Sequence, residues 1–158
     1  MDTPDWLPLT INTDDDWDKV LVTLYSVFKR DFIKRNCYFD QYKIVFDARK
    51  NDSPYEEGFW HLITRKNEKT GDRIPDFPRA KRLPWCKPTI ENHCDPLIRC
   101  WNYLEANGRI NTYIWLVEFD YLVIIQKRRD SAFLVSAFHI DGPNQKRYFQ
   151  ARYEKECI

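Results

Sequence analysis

The chain has 158 residues, 43% of them apolar and 16% aromatic, with only 4 Gly and a net charge of +1. That length and aromatic load predict one globular domain with a filled core and exclude a low-complexity or linker-dominated protein. The longest apolar runs, such as Tyr121 to Ile125, fall far short of the ~20 residues a membrane helix needs. The first 18 residues are acidic where a secretory leader is basic and then apolar, so a cytoplasmic protein is expected.

Residues 1–18 hold six Asp and no Lys or Arg, which leaves +7 on the remainder. Residues 1–13 read as a flexible acidic N-terminus, able to lie over a basic patch of the same chain. Asp14 to Asp16 precede Trp17, Val20, Leu21, Leu24, Tyr25, Val27, Phe28, Phe32 and Ile33, a helical spacing behind carboxylates that suit the helix dipole, so a long amphipathic helix is expected over about 15–35. Tyr42 to Ala48 alternates weakly, as a short strand does. Pro54 suits a first helical turn, and Tyr55 to Lys66 reads as an aromatic-rich second helix ending near Gly71, with His61, Thr64 and Arg65 on one face. The turn Ile74 to Pro78 introduces a third helix through Arg82 that Pro84 stops, and a further helical piece follows over Trp85 to Cys94.

From Ile98 the texture changes. Ile98 to Leu104, Ile110 to Val117, Tyr121 to Gln126 and Ala132 to Ile140 are β-branched and aromatic, split by short turns of which Asn107-Gly108 is the clearest. Such spacing leaves no room for crossover helices. The expected fold is therefore α+β: N-terminal helices over 15–95 packed on one face of a four-stranded antiparallel meander over 98–140, with a short C-terminal helix or tail over 143–158. The other sheet face is expected to be partly free.

Five cysteines without paired spacing read as reduced, buried thiols. Cys86, His93, Cys94 and Cys100 lack the short ligand pairs of structural zinc motifs, so no metal or other cofactor is expected. The chemistry instead gathers in Phe59 to Arg65 and Arg79 to Trp85, where a histidine and a hydroxyl stand among cations. Metal-free RNA cleavage needs proton transfer and fixed positive charge around a phosphate. His61 is the first candidate for proton transfer and His139 the second, because imidazole titrates near neutral pH. Arg79 and Arg82, at i and i+3, are expected to fork onto one phosphate, with Ser136 as a hydroxyl donor. Thr64, Arg65, Arg73, Lys81, Lys127, Arg128 and Arg147 are the expected RNA contacts, with Arg152 and Tyr153 as further candidates on the tail. Against this stand plainer readings: a structural histidine beside Trp60 and Leu62, and cations that are solvated faces.

The string Phe59-Trp60-His61-Leu62-Ile63-Thr64, then Arg73 to Trp85, then Ile90-Glu91-Asn92, then Trp115 to Phe138, resembles a group of phage and bacterial proteins related to the barnase/EndoU/colicin/RelE-like nucleases. The resemblance spans roughly residues 55–153. It implies N-terminal helices followed by a four-stranded antiparallel sheet, and a toxin or phage-defence endoribonuclease acting on tRNA or mRNA through 2′-hydroxyl attack. It carries over His61, Thr64, Arg79, Arg82 and Ser136 as motif positions. A cognate antitoxin or immunity protein is the expected partner, its acidic groups covering the basic groove. The alternative is a non-catalytic module that binds RNA or another protein.

Overall fold

The computed structural model describes residues 2–155. Residues 6–11 lie as a strap across the helices, because Trp6, Leu7 and Ile11 pack against the core there. Leu7 is buried, the Trp6 indole donates to Asp95 at 3.0 Å, the Trp85 indole donates to the Pro8 carbonyl at 2.8 Å, and the Ile11 amide donates to the Lys81 carbonyl at 2.8 Å.

Helix α1 (Trp17–Phe28) buries Val20, Leu21, Leu24, Val27 and Phe28, one continuous helical face. It runs on into a π-helical stretch, Lys29–Lys34. Strands β1 (Tyr38–Phe39) and β2 (Tyr42–Val45) form a tight hairpin through Asp40, whose φ of 52° an aspartate tolerates. Helix α2 (Glu57–Ile63) docks on α1, where the Tyr25 hydroxyl donates to the buried Glu56 at 2.8 Å. Strands β3 (Thr64–Lys66) and β4 (Arg73–Pro75) make a separate antiparallel ribbon. Helices α3 (Phe77–Lys81) and α4 (Cys86–Glu91) follow, joined by a 3-10 turn over Leu83–Trp85. Strands β5 (Ile98–Leu104), β6 (Ile110–Leu116), β7 (Tyr121–Lys127) and β8 (Ser131–His139) come next, and α5 (Gly142–Glu154) is the last element described. Among the described residues, no helix is long and apolar enough to cross a membrane.

The expected four-stranded antiparallel meander is overturned by the main sheet, which has six strands in the order β1-β2-β8-β7-β6-β5. Strand β2 pairs parallel to β8, Val45 opposite Phe133, so the sheet is mixed. Nor do the helices form one N-terminal block before it: β1 and β2 fall between α1 and α2, and the longest helix, α5, comes after the sheet. The two early strands are too short to show a period, and their partner lies some 90 residues onward in sequence, beyond the reach of local patterning.

Both sheet faces are covered. One faces α1 to α4 through Ile98, Ile114, Leu116, Tyr121, Val123, Ile125, Ala132, Leu134 and Ala137. The other packs Trp101, Tyr113, Trp115, Leu122 and Ile124 against Phe149 of α5. A register shift at Ile124/Ile125 sets Ile125 opposite Leu134 but Ile124 opposite Ser136. Past this bulge the alternation of β8 is inverted, so Ser136 and Phe138 belong to the α5 face, while Ala137 and His139 belong to the face of the other helices.

Gly58 marks the closest approach of α2 to the chain leaving β2, since its amide donates to the Asp47 carbonyl at 2.8 Å. A Cβ there meets Phe46 Cβ at 2.9 Å and the Asp47 oxygen at 3.1 Å. Gly58→Ala is expected to lower stability by about 1–2 kcal/mol, because overpacking costs roughly 1–3 kcal/mol and outweighs the ~1 kcal/mol that alanine gains in a helix. Urea unfolding checks this; a more stable variant contradicts the close packing.

Candidate functional site

Helix α2 ends earlier than expected because Thr64 takes extended angles (φ −129°, ψ 162°) and its hydroxyl donates back to the Trp60 carbonyl at 2.5 Å. The carbonyls of a helix end have no partners within the helix, and here neighbouring segments supply them. Arg79 Nη1 donates to the His61 and Thr64 carbonyls, each at 2.9 Å. Arg73 donates through Nε to Thr64 Oγ1 and through Nη2 to the Thr64 carbonyl, each at 2.8 Å. The Asp76 amide donates to the Ile63 carbonyl at 3.0 Å. Cations at this negative end of the helix also suit its dipole. Thr64 and Arg73, expected to contact RNA, are thus cap and clamp. Thr64 and Arg65 stand on a strand, so the expected shared helical face with His61 does not exist.

The expected Arg79–Arg82 fork is also absent. Helix α3 stops at Lys81, Arg82 Nη1 donates to the Pro78 carbonyl at 2.8 Å, and its guanidinium lies 5.4 Å from the Trp85 ring centre. Arg79 instead lies over Phe138 at 5.6 Å, with its Nε 3.6 Å from Asp76.

Strand β2 pairs with β8 only as far as Phe133, which leaves the upper edge of β8 without a neighbouring strand. Two cavities lie along that edge. The smaller, about 250 Å³, is lined by Asp47, Gly58, His61 and Leu62 and by the consecutive residues Phe133 to Ser136, the signature of a slot met edge-on. It brings His61 and Ser136 together, and no arginine lines it. His61 is exposed at the mouth of the slot, and partial desolvation, then the charge of Arg73, lowers its pKa.

The larger cavity, about 500 Å³, opens between the β3–β4 ribbon, α3, the end of β8 and the start of α5. Arg65, Asp76, Arg79, His139, Asp141 and Gln145 line it. His139 Nδ1 is buried without a hydrogen-bond partner. Burial first, and the Arg82 charge second, lower its pKa against the opposing pull of Asp120, Asp141 and Asp76. The neutral form with hydrogen on Nε2 leaves no buried N–H unpaired. Asp76 caps α3 by accepting from the Arg79 amide at 3.1 Å, and the Asp141 amide donates to Gln145 Oε1 at 2.6 Å.

The other expected residues are scattered. Lys127 and Arg128 are exposed at the opposite end of the β7–β8 pair from His139, roughly 20 Å away along the strands. Lys81 is half-buried beneath the N-terminal strap, and Arg147 is exposed on α5. Arg152 is held by Glu105 at 2.7 Å and the Tyr113 hydroxyl at 2.8 Å, and Tyr153 stacks on Arg99. His93 pairs with Asp40 at 2.9 Å, while Cys86 is fully buried. Among the described residues, no three His, Cys, Asp or Glu side chains are grouped to hold a metal. Asp76, Asp141 and Gln145 escaped the sequence reading, although Asp-Phe-Pro and Asp-Gly-Pro are helix starts directly after strands, a place where clefts form. No family model, curated protein or solved structure matches the chain.

Two outcomes are expected. Thr64→Val removes a buried hydroxyl that both donates and accepts, and should cost about 1–3 kcal/mol in chemical denaturation; a neutral substitution contradicts its role as cap. Because the folded pKa of His139 lies below that of the unfolded chain, near 6.5, its contribution to stability is complete above that pH and is lost on acidification. Melting temperature should therefore fall between about pH 7 and pH 5, and His139→Gln should flatten that slope.

Proposed function

We propose that the protein is a metal-independent endoribonuclease acting in the larger cavity, of the barnase/EndoU/colicin/RelE-like kind that its motifs resemble. One observation carries this reading: a single open cavity is lined by an imidazole, two guanidinium groups and two carboxylates. The assignment moves from His61 to His139. Asp141, exposed at the rim, takes the proton of the RNA 2′-hydroxyl as its oxygen attacks phosphorus. His139, when protonated, delivers a proton to the departing 5′-oxygen, so that a 2′,3′-cyclic phosphate and a 5′-hydroxyl result. Arg65, exposed and without an ion-pair partner among the described residues, receives the phosphate. Arg79 adds fixed positive charge from the wall, where Asp76 holds it. The lowered pKa of His139 makes its protonated form a stronger acid but a scarcer one at neutral pH, so turnover should rise on mild acidification. In a cytoplasmic setting such an enzyme calls for an acidic antitoxin or immunity protein seated over the cavity.

A second reading, a non-catalytic RNA-binding module, draws on the observation that Arg73 and Arg79 spend their donors on backbone carbonyls. Incubation of purified protein with total RNA in EDTA separates the two. Cleavage should survive EDTA, fall about 100-fold or more in His139→Ala and Asp141→Asn, and persist in Arg129→Ala. Intact RNA with salt-sensitive binding supports the module instead. A greater loss in His61→Ala than in His139→Ala returns the chemistry to the slot.

A further inference from the structure

The sheet face away from that cleft holds a second cavity, of about 340 Å³, where the first turns of α5 cross β5 and β6. Arg99, Trp115, Lys146, Arg147 and Gln150 line it, and no carboxylate does. Arg99 stands directly opposite Trp115 in the ladder and so shares its face. Its guanidinium lies 5.5 Å from the Trp115 ring centre and 4.7 Å from that of Tyr153, and its Nη1 donates to Gln150 Oε1. Two aromatic faces and a neutral amide fix that guanidinium in place without neutralising it.

Among the described residues, neither Arg99 nor Arg147 has a carboxylate within ion-pair distance, whereas Lys146 pairs with Asp120 at 3.1 Å. The first turn of α5 carries no acidic residue, and its N-cap, Asp141, lines the other cavity rather than this one. Trp115, 1% exposed, adds a buried indole N–H without an acceptor. Fixed cations around a cavity lined by no carboxylate describe a site that lacks its anion.

We propose that this cavity binds a phosphate dianion, carried by a small phosphate monoester or by the 5′ end of an RNA chain. A guanidinium already held in place suits bidentate recognition of phosphate oxygens. Val117 and Pro143 supply an apolar rim for the group that carries the phosphate, and the volume lies within the ~300–1,000 Å³ of small-molecule sites. The cavity shares no lining residue with the cleft, and the inference does not rest on the cleft's chemistry.

The test is titration of the intact protein with inorganic phosphate, adenosine 5′-monophosphate and adenosine, and with a short deoxy-oligomer bearing a 5′-phosphate or a 5′-hydroxyl. The deoxy-oligomers lack the 2′-hydroxyl and cannot be cleaved. Calorimetry and the Trp115 indole resonance report binding. The monophosphate should bind and shift that resonance while adenosine does not. Arg99→Gln and Arg147→Glu should each weaken binding by about tenfold or more, and His139→Ala should leave it unchanged. Tighter binding of the phosphorylated oligomer than of the monophosphate identifies an RNA end; the reverse order identifies a free monoester. Arg147 is exposed, so its reversal tests charge without disturbing the core. Equal binding of adenosine, no response to any phosphate probe at millimolar concentration, or affinity unchanged in Arg147→Glu overturns the proposal.

Discussion

The capping of α2 at its C-terminal end is the constraint on which the rest of the molecule depends. Thr64 closes the helix with its own hydroxyl, and two arginines from β4 and α3 and one backbone amide take up the carbonyls left over. Hydrogen bonds to charged groups are worth about 1.5–3 kcal/mol each, and more is lost when a buried partner is left unpaired. The three segments that meet here therefore hold or release together. Because α3 and the β3–β4 ribbon form one wall of the larger cavity, the same bonds that end a helix also set the shape of the candidate site.

The opposite wall depends on β8. Its first three residues are covered by β2 and the rest are not, so the strand passes from sheet interior to sheet edge along its own length. The bulge opposite Ile124/Ile125 then inverts the side-chain alternation. A regular continuation from Ala132 and Leu134 places Ser136 and Phe138 beside the helices and turns His139 under α5. One extra residue exchanges them, and His139 lines the larger cavity instead.

These two features explain which parts of the molecule were legible in its sequence. The β-branched and aromatic runs over 98–140 carry their own period, and short turns confine each to a neighbour, so local patterning suffices there. No local pattern announces that Tyr42–Val45 pairs with a strand some 90 residues onward, which is why a mixed six-stranded sheet reads as a four-stranded one. Nor does a bulge announce itself, and the face on which His139 lies was hidden with it. His61, Thr64 and Arg65 looked like one helical face because helical spacing was carried past Ile63, whereas Thr64 is the residue that ends the helix. Arg73 and Arg79 read as phosphate-binding cations, but cations gather at a helix's negative end for the same electrostatic reason that they gather at a phosphate. Sequence spacing does not separate those two causes; hydrogen-bond partners do.

Partner accounting also separates the two faces of the sheet. On the helix side, Arg73 and Arg79 are bound to carbonyls, and the cavity that Arg79 lines holds cations, carboxylates and an imidazole within a small volume. Mixed charge of that kind holds no ion tightly, but it can move a proton and then stabilise the charge that results. Beneath α5, Arg99 and Arg147 each donate to one neutral amide oxygen, of Gln150 and of Asn144, and meet no carboxylate among the described residues, so the cavity they line carries one sign of charge. An arrangement of that kind has little use for proton transfer and a strong pull on an anion that stays. The acidic residues on either side of the N-terminal strap account for the near-zero net charge of the whole chain without lining either cavity, because Trp6, Pro8 and Ile11 fasten the strap along Asp95, Trp85 and Lys81, residues that line neither of the two.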